Sequence, residues 1–142
     1  MFSHILAGWD ASPAANRAVD AATEIAHRFD ARLTIIEVVP SVPHGGPDEA
    51  VRESERGRQA EHASAMIDRI RQRGVEATLH LAEGADKAQV LLDQGHQVGA
   101  DLIVIGRGHD GGIARLFSAE LAERLVRIAI TPLLVVPDDG RE

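Results

Sequence analysis

Apolar and polar positions follow two alternating periods along the chain, and the switches between them lay out its elements. Phe2–Gly8, centred on Ile5-Leu6-Ala7, predicts a first strand ending at Gly8-Trp9-Asp10. Beyond it Ala15, Ala18, Val19, Ala22, Ile25, Ala26 and Phe29 recur at spacings of three and four, one apolar stripe over about four turns of helix. Ser12 can cap that helix's free N–H groups, and Pro13 is tolerated in its first turn. Ala31–Val39 is rich in β-branched residues and predicts a second strand. Pro40–Pro47, with Pro40, Pro43, Pro47 and the pair Gly45-Gly46, reads as a loop.

The later part continues the alternation. Asp48–Arg73 predicts a long polar helix. Arg52–Glu61 in its first half is nearly all charge, a solvated face, with a lid or a partner surface as the sharper reading. Its second half puts Ala63, Met66, Ile67 and Ile70 on one side, and Gly74 suits its C-cap. Val75–Leu81 places Val75, Ala77, Leu79 and Leu81 on one face, as in a strand near a sheet edge. Asp86-Lys87-Ala88-Gln89 reads as a capping box opening a helix to about Val98. Leu102–Ile105 is an unbroken apolar run, the mark of a strand buried on both faces. Gly106, Gly108 and Gly111-Gly112 follow it, then helical spacing over Ile113–Ile128. Thr131-Pro132 breaks that helix, Leu133–Val136 is a final strand, and the acidic tail Asp138–Glu142 is frayed.

This βαβαβαβαβ order builds a doubly wound α/β domain, one parallel sheet with helices on both faces. In such sheets ligands sit beyond the strand C-termini where the strand order reverses. With the first and fourth strands adjacent there, Gly8–Ser12 and Gly106–Gly112 face each other across one crevice.

Composition narrows the function. The 142 residues suit a single domain, residues 1–142, that buries its core without staples. There is no cysteine, hence no disulfide framework or thiol chemistry. A formal net charge of -7 argues against nucleic acid or an anionic membrane as partner. No apolar run approaches the roughly 20 residues of a membrane span. MFSHILAGWD lacks a signal-type core, so the expected location is cytoplasmic.

The segments HILAGWDASPAANRAVDAATEIA, LTIIEVVP, GADLIVIGRGH and TPLLVVP, in this order and spacing, resemble a universal stress protein domain from about His4 to Pro137. The resemblance implies a Rossmann-like, adenine-nucleotide-alpha-hydrolase-like sheet of strand order 3-2-1-4-5 and a homodimer formed through the last strand, Leu133, Leu134, Val135 and Val136. One branch of that family binds ATP through G-x2-G-x9-G-(S/T) after the fourth strand. Gly106 matches the first glycine, but His109, Ala119 and Glu120 replace the other three positions. Ala119 adds a methyl group, and Glu120 sets a carboxylate where a triphosphate would lie, so the motif is degraded. His109 when protonated, Arg107 and Arg115 are the compensating charges. The nucleoside half survives better. Asp10 matches the acidic residue near the ribose, Val38 the residue whose backbone meets adenine, and Ala7 and Gly8 line the same edge. Trp9 has the bulk to stack on a base or close the pocket.

Each candidate also has a plainer reading. Gly106-Arg107-Gly108-His109-Asp110-Gly111 fits G-x-G-x-x-G, but on the fourth strand rather than at the opening of a βαβ unit, so an anion nest or a turn fits better than a dinucleotide site. Asp10 either binds ribose or magnesium, or ends its strand and joins Ser12 in the cap. Glu120 is a general base or a complement to a helix dipole. No two histidines lie three or four residues apart, so no local helical metal motif exists. Ser12 lacks a nucleophile elbow and reads as a cap. The expected function is therefore a non-catalytic stress-response or signalling module with weak or absent ATP binding. Its possible ligands are ATP, AMP or adenosine, with magnesium, and its partners a second copy or an unidentified protein. The alternative is an ATP-binding switch or slow ATPase using the same crevice.

Overall fold

The structure, a computed structural model, describes residues 1–39, 48–108 and 118–138. Five strands and four helices alternate: β1 (His4–Trp9), α1 (Pro13–Phe29), β2 (Arg32–Val39), α2 (Glu49–Gln72), β3 (Ala77–Glu83), α3 (Lys87–Val98), β4 (Leu102–Arg107), α4 (Ala119–Ile128) and β5 (Leu133–Pro137). All strand pairs are parallel, and the sheet order is β3-β2-β1-β4-β5. Right-handed crossovers therefore put α1 and α2 on one face and α3 and α4 on the other. Every residue of β1 is buried, and β4 is buried up to Gly106, because helices cover both faces of the sheet centre.

Local chemistry explains the element ends. Ser12 Oγ accepts the Ala15 N–H at 3.2 Å and so caps α1, as the sequence predicts. Asp86 accepts the Gln89 N–H at 3.3 Å, but the Gln89 amide donates to Asp93 at 2.9 Å, so only half of a capping box forms. Gly74, one position beyond the α2 C-cap Arg73, takes a left-handed φ of +82° that L side chains resist.

Three expectations need correction. On α1, Ala14 and Thr23 join the buried stripe, whereas Phe29 is 48% exposed and sets its ring edge-on to Phe2 at 5.4 Å. On β3 the alternation stops short: Leu81 is 69% exposed and Ala82 is buried instead. The small residues Ala60 and Ser64 of α2 stand over that end of the edge strand and do not cover it. Finally, α4 begins at Ala119 rather than Ile113, because Ser118 is extended (φ -87°, ψ 167°) and serves as its N-cap. Residues 113–117 of the predicted helix lie outside the described residues.

Candidate functional site

The sheet opens where its winding reverses. β1 stays paired with β4 only over Ile5–Leu102, Leu6–Ile103 and Ala7–Val104. Beyond that point β1 follows β2 as far as Trp9–Glu37, and β4 follows β5 as far as Arg107–Pro137. The C-terminal ends of β1 and β4 thus part, leaving a crevice at the position where doubly wound sheets bind ligands.

The β1 side of the crevice is tightly built. Asp10 is 4% exposed, and its Oδ1 accepts the Ser12 N–H at 2.9 Å. Between them Ala11 takes a left-handed φ of 66°, a conformation costing an L residue roughly 1–2 kcal/mol. This turn brings the Asp10 carboxylate to the start of α1, where the helix dipole favours negative charge. Ala7 and Gly8 are buried behind it, and the Val38 side chain is buried at the end of β2.

Trp9 is not part of the crevice, contrary to the stacking role its bulk suggests. It is 2% exposed, and its Nε1–H donates to Asn16 Oδ1 at 2.8 Å. Strand alternation puts Trp9 on the face of Ile5 and Ala7, under the helices, where it lines a groove of about 540 Å³ between α1 and α2 with Asn16, Met66 and Ile70.

On the β4 side, Gly106 is glycine for a reason of packing. A Cβ there would lie 2.3 Å from the Ala14 carbonyl oxygen and 2.9 Å from the Ala15 nitrogen. The first turn of α1 therefore presses directly on the exit of β4, and that demand needs no phosphate. Arg107 is exposed, and its carbonyl accepts the Asp138 N–H at 3.0 Å. Gly108 is partly exposed at the limit of the described chain, and His109, Asp110, Gly111, Gly112 and Arg115 lie outside the described residues.

Ala119 and Glu120 sit in the first turn of α4, behind the Ser118 cap. Ser118 Oγ accepts the Leu121 N–H at 3.2 Å, and Glu120 supplies a first-turn carboxylate. Its own residues already serve that helix start. Ala119 lines a shallow cavity of about 570 Å³ with Arg107, Val126 and Val135, on the β5 side of α4.

Glu37 is a polar neighbour of this region that the sequence does not single out, since it sits unmarked in a β-branched run. Parallel register sets it beside Trp9 at the end of β1. Burial pushes its carboxyl above the usual range; the Gln59 amide, donating to Oε1, pulls it back, and the nearby Asp10 carboxylate pushes it up again. Among the described residues no three or more His, Asp or Glu side chains are placed to hold a metal ion. No helix among them is long and apolar enough to cross a membrane.

Comparison with known proteins agrees with this fold. A family model described as the universal stress protein family matches residues 1–137. A solved structure from that family in Burkholderia pseudomallei is 32% identical and superposes with a TM-score of 0.76 over 96% of each chain. A universal stress protein of Methanocaldococcus jannaschii is 27% identical over 147 residues, covering 100% of this chain and 86% of its own. A universal stress protein of Archaeoglobus fulgidus, solved in complex with dAMP, shares the fold at 21% identity, with a TM-score of 0.67 and coverage of 94% and 97%.

Proposed function

This chain belongs to the universal stress protein family, and on that premise we propose that it is a non-catalytic cytoplasmic stress-response module. Its crevice takes adenosine or AMP and holds ATP weakly or not at all. One observation carries this reading. The α4 start, where the family's ATP motif would place a glycine and a hydroxyl, has its Leu121 N–H bound by Ser118 and carries the Glu120 carboxylate. A triphosphate there would meet like charge, worth about 1–4 kcal/mol per close pair at effective dielectrics of 80 to 20.

The nucleoside end fits better. Asp10 is fixed by the Ser12 N–H at the mouth of the parted strands and is the acceptor for a ribose hydroxyl. The backbone of Val38, the last residue but one of β2, is the partner for a base. A relative's complex with dAMP supports a monophosphate as ligand class. Ser12, two residues beyond Asp10, is committed as a cap, which argues against it as an activated nucleophile. A homodimer through β5 completes the reading: Leu133, Leu134, Val135 and Val136 form the sheet's outer edge and are all only half-buried.

Calorimetric titration with adenosine, AMP and ATP, with and without magnesium, tests it. Adenosine and AMP should bind saturably, and ATP at least about tenfold more weakly. Ala119→Gly with Glu120→Ser should strengthen ATP binding by about tenfold, equivalent to 1.4 kcal/mol. ATP binding as tight as AMP, or ATP hydrolysis that disappears in Asp10→Ala, overturns the reading in favour of an ATP switch. No gain in the double variant would mean the phosphate end lies away from α4.

A further inference from the structure

On the other face of the sheet from the Val38 side chain, a cavity of about 680 Å³ lies between α2 and the ends of β2 and β3. Its size is that of a small-molecule site. It exists because one stripe of α2 offers Ala60 and Ser64 where larger side chains would fill the space. The floor is apolar: Val39 from β2, Leu79 and Leu81 from β3, and Ile67 from α2. Leu81, at 69% exposure, is the only large apolar residue of β3 left in water.

The charges around this floor are unevenly committed. Two cations line it as well: Arg56 pairs with Glu49 at 3.5 Å, and the Arg71 Nε–H donates to the neutral Ala77 carbonyl at 3.0 Å. Among the described residues the carboxylates of Glu37, Asp68 and Glu83 form no ion pair. Glu37 is half-buried on the wall and receives the neutral amide of Gln59. A half-buried carboxylate outside any ion pair is costly, and an occupant that brings a cation into contact with it offsets that cost.

We propose that this cavity is a second binding site, separate from the strand-end crevice, for a small organic amine whose apolar body lies on Leu79, Leu81 and Val39 and whose ammonium group meets Glu37. The amine donates up to three hydrogen bonds, which the Glu37 carboxylate and the nearby Ser64 hydroxyl accept. Its apolar part covers Leu81, which the fold leaves exposed.

Three probes of matched shape separate charge from apolar contact: 1-naphthylmethylamine, 1-naphthalenemethanol and 1-naphthoic acid. Each is titrated into isotopically labelled protein, with amide shifts followed by NMR. The amine should bind saturably, with its largest shifts at Ala60, Ser64, Leu79 and Leu81, and at least about tenfold more tightly than the alcohol or the acid. Glu37→Gln, a near-isosteric change on the cavity wall, should cost the amine about tenfold and leave the alcohol unaffected. Filling the space with Ala60→Leu should abolish binding of all three, while Glu37→Gln keeps the test intact if the filled variant fails to fold. Equal binding of the acid, shifts clustered at another surface, or no amine binding at millimolar concentration would each overturn the proposal.

Discussion

Gly106 has room for a hydrogen and nothing larger. Its missing Cβ would sit 2.3 Å from the Ala14 carbonyl oxygen, in the backbone of a helix turn that cannot yield as a flexible side chain would. Gly106→Ala is therefore expected to destabilise by about 2–3 kcal/mol, seen as a fall in Tm of roughly 5–10 °C by differential scanning calorimetry. An unchanged Tm would show that the contact relaxes easily. His4 makes a different demand. It is 7% exposed, Nε2 pairs with Thr34 Oγ1 at 2.7 Å, and Nδ1 makes no hydrogen bond of good geometry. Burial, then the charge of Arg32, lowers its pKa, while the Val98 carbonyl, Asp101 and Glu76 oppose this less strongly. The unfolded chain then binds the proton more readily than the folded one, at and below about pH 6.5. Stability should fall as pH drops from about 7 to 5.5, and His4→Leu should flatten that slope in Tm against pH. Parallel slopes for the two proteins would remove His4 as the cause.

At the scale of elements, the outer strand β5 stands out. Each of Leu133, Leu134, Val135 and Val136 is half-buried, and Val126 and Ile130 beside it are 67% and 96% exposed. An apolar edge of this kind leaves backbone N–H and C=O groups unpaired and invites a second strand. The β5 homodimer predicts a solution mass near twice 15.2 kDa by light scattering, falling to 15.2 kDa in Val135→Lys. A monomeric wild-type protein would take this edge out of the proposed function. The opposite edge is treated differently: Arg71 of α2 reaches across to the Ala77 carbonyl of β3 at 3.0 Å. Between helices, Arg73 joins Glu24 at 3.0 Å and Arg124 joins Asp86, exposed pairs that link the end of α2 to α1 and α4 to the start of α3 and are worth little energy.

At the scale of the molecule, much of the architecture is legible in the chain. Switches between periods of 2 and about 3.6 residues announce five strands and four helices, because those periods reflect which side of each element meets the core. Ser12, Asp86 and Gly74 act near the ends that their chemistry suggests, since a cap is settled by a few neighbouring residues. The order β3-β2-β1-β4-β5 matches what the family resemblance implies. The site is less legible. Asp10 and Gly106 stand out as residues, but that Trp9 turns under α1, that Gly106 is pressed by Ala14, and that Glu37 comes beside Trp9 are decided only by packing. The same holds for the cavity over Leu81, which depends on two small residues of α2 meeting an edge strand. The sequence by itself determined the elements, their alternation and the caps at Ser12, Asp86 and Gly74, because those rest on neighbours a turn or two apart. Only the tertiary structure decided which way each strand-end side chain faces and which charges share a wall, because parallel register joins residues distant along the chain.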